Sequence, residues 1–153
     1  MAGRYRLAGT LPLLLLLGTG SAVGDPPVLR TEIYDAPALV KAGDEIVISV
    51  RIRNISDDAV RVLIDRGPFG FHTDYMVRAD GAGGQTHDSD FPHGRDEPKP
   101  LLPGAVREDR FSLYDRIPDL PPGSYSISVA PIVIAGETRL VTGWSSPVRI
   151  TVR

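Results

Sequence analysis

Glu45-Ile46-Val47-Ile48-Ser49-Val50-Arg51-Ile52-Arg53 is the stretch that decides the fold. Ile46, Ile48, Val50 and Ile52 alternate with Val47, Ser49, Arg51 and Arg53. An extended chain turns successive side chains to opposite faces, so this run presents one aliphatic face and one mostly polar face. That describes a strand buried on one side. Ala42-Gly43-Asp44 ahead of it reads as a turn, and Asn54-Ile55-Ser56-Asp57-Asp58 behind it as a polar connection. Val60, Val62 and Ile64 then alternate with Arg61 and Asp65, which predicts a second strand paired antiparallel with the first.

The same period of two recurs along the chain. Phe71, Thr73, Tyr75 and Val77 alternate with His72, Asp74, Met76 and Arg78. Val106 to Leu113 reads as a more polar strand with Phe111 and Leu113 as its apolar residues, and Tyr125, Ile127 and Val129 alternate with serines. Val148, Ile150 and Val152 close the chain in the same way, an opening strand is expected around Leu29–Ile33, and Thr138–Thr142 adds one more. The 14 prolines and 16 glycines fall mostly between these runs, where a missing N–H or a freed φ ends a strand. Seven or eight short strands with turn signals between them predict an all-β antiparallel sandwich. No stretch carries helical spacing, and there is no internal repeat.

Asp80–Pro103 breaks the pattern. It is rich in Gly, Pro and Asp, and is almost without apolar residues apart from Phe91 and Leu101-Leu102. It is read as a long polar loop, a length that in compact domains usually serves function or is disordered.

At the other end, Arg4 and Arg6 precede the apolar block Leu11–Leu17, and the small residues Ala22-Val23-Gly24 follow. This is the layout of a secretory signal peptide over residues 1–24, with cleavage expected between Gly24 and Asp25. The block is shorter than the roughly 20 apolar residues that a membrane span needs. Residues 25–153 are then one domain, exported to the periplasm or the extracellular space. The chain has no cysteine, which excludes disulfides, thiolate metal centres and a lipid-anchored N-terminus. It holds 17 basic and 19 acidic residues, and losing Arg4 and Arg6 leaves a formal charge of -4. With no basic stripe, nucleic acid is not expected as a partner. Lys41 and Lys99 are the only lysines, an arginine bias that points to a GC-rich bacterial genome.

The run Leu120-Pro121-Pro122-Gly123-Ser124-Tyr125-Ser126-Ile127-Ser128-Val129 resembles an element of immunoglobulin-like and fibronectin-III-like domains. There a tyrosine hydroxyl bonds back to nearby backbone and pins a corner, and the resemblance puts Tyr125 in that structural role. Val50-Arg51-Ile52-Arg53-Asn54 and Gly143-Trp144-Ser145-Ser146-Pro147-Val148 resemble the second strand and the entry to the last. The chain departs from antibody-type domains in lacking both cysteines and a third-strand tryptophan. It is also similar to small bacterial sandwich domains of the proteinase-inhibitor type, through its "N-x-S" turn, Asp80-Gly81 and Leu101-Leu102-Pro103-Gly104.

His72, His87 and His93 lie in or beside the polar segment with Asp74, Asp88, Asp90, Asp96, Glu97 and Met76. Imidazoles and carboxylates suit zinc or copper, and a thioether suits reduced copper. The spacing matches no strong ligand motif, so a solvated loop whose histidines cluster is the plainer account. Asp88-Ser89-Asp90 lacks the register of a calcium loop. No nucleophile elbow, zincin or phosphate-loop motif is present, and Gly81-Ala82-Gly83-Gly84 reads as flexible chain, so no enzyme activity and no cofactor are expected. Arg51, Arg53, Arg61, Arg149 and Arg153 read as residues that keep sheet faces soluble. After Gly67-Pro68, alternation assigns Phe71 and Tyr75 to the core and leaves Phe69 and Phe91 for exposure.

The sequence is thus read as an exported, non-enzymatic binding domain whose partner is another protein of the cell envelope. Phe69, His72, His87, Phe91 and His93 are its candidate binding residues. Two alternatives are a protease-inhibitor-like module and a periplasmic metal-binding protein using the loop histidines.

Overall fold

The computed structural model describes residues 28–89, 98–118 and 120–153. Residues 1–24, expected to be a signal peptide, and the candidates Phe91 and His93 lie outside the described residues. The chain runs β1 (Leu29–Asp35), β2 (Leu39–Val40), β3 (Val47–Asn54), β4 (Val60–Val62), β5 (Ile64–Gly67), β6 (Gly70–Thr73) and β7 (Tyr75–Gly81). It continues with β8 (Thr86–Asp88), β9 (Lys99–Leu101), β10 (Val106–Ser112), a 3-10 turn (Leu113–Asp115), β11 (Gly123–Ala135), β12 (Thr138–Val141) and β13 (Val148–Val152). The protein is all-β, and the short 3-10 turn is the only helical element among the described residues.

β3 sits at the centre of one sheet, in the order β1-β3-β10, antiparallel to both neighbours. Ile48, Val50 and Ile52 are fully buried while Arg51 and Arg53 face out, as the alternation requires. Burying one such side chain contributes roughly 1.5–3 kcal/mol relative to leaving it in water. They pack with Tyr75, Val77, Ile127, Val129 and Ile150 of a second sheet, in which β11 lies between β7 and β13. The Tyr75 and Phe111 rings stack across the two sheets, 5.2 Å apart. Several antiparallel sheets around one core form an arrangement consistent with a β-sandwich.

The second sheet is closed at one level by two serines. β8 pairs with β7 from Arg78 onward, and β13 pairs with β11 up to Ile127. Past those points the Val77 N–H donates to Ser89 Oγ (2.9 Å) and the Val129 N–H donates to Ser145 Oγ (3.1 Å). Val77 and Val129 are direct partners, so both flanking strands leave the sheet together and a buried hydroxyl satisfies the N–H each would have served. The turn into the second of these serines needs glycine. Gly143 has φ +67°, and a Cβ there would collide with the Leu29 carbonyl.

Four expectations are corrected. First, β4 does not pair with β3 but with β9 and β11. Asn54 is the reason: its buried amide donates to the carbonyls of Asp58 (2.7 Å) and Leu101 (2.8 Å) and accepts from the Ser56 N–H. The connection therefore crosses toward β9 rather than folding back as a hairpin. Second, the runs 60–64 and 71–77 are each broken, at Leu63 and at Asp74. These two residues bond to one another and to Ile132: the Asp74 N–H donates to the Leu63 carbonyl, the Leu63 N–H to that of Ile132, and the Ile132 N–H to that of Asp74. Third, the segment 80–103 is not one long loop, because it carries β8 and β9. Fourth, β11 extends well beyond the six residues expected and continues through Pro131. That proline sits where β11 passes from pairing with β7 to pairing with β12 and β4. Among the described residues the finer count is thirteen strands, several of only two to four residues.

Candidate functional site

Breaking both runs frees a small hairpin, β5–β6, with Asp65 opposite His72, Arg66 opposite Phe71 and Gly67 opposite Gly70. Pro68-Phe69 forms its tip, and Gly70 takes φ +105°, which an L side chain rarely adopts. The base of the hairpin is dry: Ile64, His72 and Thr73 are at most 3% exposed. Its outer end is not. Phe69 is 45% exposed and Phe71 is 63% exposed.

Phe71 is thus a correction, since alternation assigned it to the core. Its inward neighbour is His72, which stacks on Phe111 with ring centres 5.4 Å apart. A break at Asp74 lets Tyr75 face the core without carrying Phe71 with it. The outward rings lie beneath guanidinium groups: Arg66 sits 5.6 Å from the Phe71 ring centre and Arg110 sits 5.2 Å from that of Phe69. Neither arginine makes an ion pair among the described residues.

Two arginine–aspartate anchors hold the hairpin. From the 3-10 turn side, Arg116 Nη2 reaches Asp65 of β5 (2.8 Å) and Asp74 at the β6–β7 break (2.6 Å). From the β10 side, Arg107 donates to the Phe71 carbonyl (3.2 Å) and to Asp109 (2.9 Å), whose other oxygen accepts the Tyr75 hydroxyl (2.7 Å). The Asp74 and Asp109 side chains are at most 1% exposed. Burial pushes the Asp74 carboxyl up to about 6, a rise that the nearby Arg116 charge only partly offsets. Burial, reinforced by the Asp109 charge, also raises the Tyr75 phenol well above its ordinary value. A cleft of about 290 Å³ opens beside these groups, lined by Asp65, Arg66, Gly67, Pro68, His72, Asp115 and Arg116.

The three described candidate binding residues, Phe69, His72 and His87, do not converge. Phe69 and His72 belong to this hairpin, although His72 is a core-facing ring whose Nδ1 bonds the Thr73 carbonyl (2.8 Å). His87 lies elsewhere, on β8 opposite Ala79, with its ring edge against Tyr125 at 6.0 Å. Among the described residues no group of three His, Asp or Glu side chains is placed to hold a metal. Tyr125 is buried and its hydroxyl donates to the Pro121 carbonyl (2.7 Å). Gly123 leaves room for that ring, since a Cβ there would lie 3.2 Å from the hydroxyl oxygen. Sequence reading missed Arg107, Asp109 and Arg116, and gave Asp74 no part beyond that of a nearby carboxylate. The one available signal was Asp109, a charge on the face that Phe111 and Leu113 share; Asp74 falls on the polar side of its run and gave none. No helix among the described residues is long and apolar enough to cross a membrane.

No protein-family model and no curated protein matches the chain. Among solved structures it is similar to the CARDB domain of a Pyrococcus furiosus protein, in complex with di-metal ions. That match has 16% identity and a TM-score of 0.43, covering 83% of this chain and 89% of the other. The alkylpurine DNA glycosylase AlkC of Pseudomonas fluorescens matches at 16% identity with a TM-score of 0.49, over 83% of this chain and 31% of the enzyme. A β-glucosidase of Listeria innocua matches at 16% identity and TM-score 0.46, over 81% of this chain and 16% of the enzyme. The chain therefore spans only a small part of either enzyme.

Proposed function

We propose that this chain is an exported, non-enzymatic immunoglobulin-like domain that binds another protein of the cell envelope through its β5–β6 hairpin. The immunoglobulin-like assignment rests on the order β1-β3-β10 in one sheet, β13-β11-β7 in the other, and the Tyr125 hydroxyl bonded to Pro121. One observation carries the binding assignment. The hairpin turns its largest apolar residues, Phe69 and Phe71, away from the core that takes Ile64, His72 and Thr73, and two arginines held on the buried Asp74 and Asp109 carboxylates fix it in that pose. Apolar rings in water cost free energy unless a partner covers them. A rigid presentation lowers the ordering cost of binding.

The test is photo-crosslinking in the producing cell. A photoreactive phenylalanine analogue replacing Phe71 is expected to join the domain to an envelope protein. The same analogue at Leu140, a comparably exposed residue on β12, is expected to give no such product. Equal products from both positions would defeat the assignment. N-terminal sequencing of the exported form checks the location, and it is expected to start at Asp25.

A further inference from the structure

From the chemistry of the hairpin's outer end, and resting on the reading just given, we infer that its partner presents an acidic polypeptide segment, with carboxylates interleaved with apolar side chains. Arg66 and Arg110 are the only described guanidiniums at this end that engage neither a carboxylate nor a backbone carbonyl. Asp65 and Asp74 are committed to Arg116 and Asp109 to Arg107, and Asp115, which lines the cleft beside Arg66, is in ion-pair contact with neither arginine. Two cations are thus left uncompensated on an otherwise acidic chain, and each lies on an exposed ring.

That stacking also selects the kind of partner. A guanidinium occupies one face of each ring, so a partner reaching that face meets a cation rather than a bare aromatic surface. It meets the guanidinium N–H fork beside the ring edge. The fork matches a carboxylate in two-point geometry. Ring edges carry partial positive charge and also favour anions. The exposed area of Phe69 and Phe71 then takes apolar side chains between the acidic ones. The hairpin register supplies the spacing: Arg66 and Phe71 are direct cross-strand partners, so cation and ring form one paired platform.

Two measurements on the full domain test this. The first maps the crosslink formed from position 71 by mass spectrometry, and the attached segment is expected to be rich in Asp or Glu. The second titrates a short synthetic peptide of alternating Glu and Leu, its Lys-for-Glu counterpart, and polygalacturonate as a glycan carboxylate polymer. The Glu peptide is expected to bind, and the double variant Arg66→Gln, Arg110→Gln to lose at least about tenfold in affinity. Arg30→Gln, on β1, is expected to change affinity less than about twofold. Phe71→Ala at this solvent-exposed position is the second variant, expected to weaken binding with its melting curve unchanged. Equal binding of the Lys peptide, preference for polygalacturonate, or a mapped segment without carboxylates would overturn the acidic partner while leaving the hairpin as the binding surface. No crosslink from position 71 would overturn both.

Discussion

The runs that enter and leave the β5–β6 hairpin alternate in sequence much as β3 does, yet β3 hides its large apolar residues and the hairpin displays them. In β3 every second residue is aliphatic and sits between two neighbouring strands, so both hydrogen bonding and burial hold one register. A slip by one residue would expose Ile48, Val50 and Ile52 together and bury Arg51 and Arg53. At the hairpin the pattern is interrupted on either side, at Leu63 and Asp74, and the strands between are four residues long. Its pose is set by charges: Arg116 on two aspartates, and Arg107 between Asp109 and the Phe71 carbonyl. Periodicity decides a central strand, whereas a few directional contacts decide an element at the rim.

Four measurements sharpen or break this contrast. Ile52→Ala in β3 is expected to have the largest effect, a loss of about 4 kcal/mol in urea unfolding, because a fully buried side chain leaves a cavity. A loss below about 1 kcal/mol would mean that β3 is not the centre of the core. Arg116→Ala is expected to cost about 3 kcal/mol at pH 7.5, since it strands the buried Asp74 carboxylate. That cost should shrink at pH 5, where Asp74 takes a proton; a pH-independent cost would show that Arg116 acts by packing alone.

The third measurement is the pH dependence of the wild type. Asp74 titrates near 6 when folded, against 3.8 for the ordinary group, so the folded state binds the proton more tightly. Its contribution to stability is complete below 3.8 and is lost as the pH rises through 6. Unfolding at pH 7.5 and 5.0 should show about 1 kcal/mol more stability from this group at the lower pH. Asp74→Asn should flatten that difference; an unchanged slope in the variant would assign it elsewhere. The smallest effect belongs to Phe71→Ala, with stability expected to stay within about 0.5 kcal/mol of wild type because the ring is mostly in water. A larger drop would show that Phe71 supports the fold rather than facing a partner.

Much of the frame was legible because it is written locally. Alternation located β3, the start of β11 and β13, and polar residues at Ala42-Gly43-Asp44 marked a turn. The candidate site was far less legible. Phe71 falls in register with Tyr75, and only the break at Asp74 uncouples them. His72 and His87 are close in sequence but occupy different parts of the molecule, against Phe111 and against Tyr125. Arg116 meets Asp65 across 51 residues of chain, a distance at which no spacing rule applies.

By itself the sequence determined that this protein is built of short strands, because a period of two in branched aliphatic residues has one economical solution in water. It also determined that no thiol chemistry takes part, since the chain has no cysteine. The tertiary structure alone decided which strands pair and which apolar residues face outward. Strand pairing and ion pairing act between residues far apart in the chain, and their directions come from the folded geometry that brings those residues together.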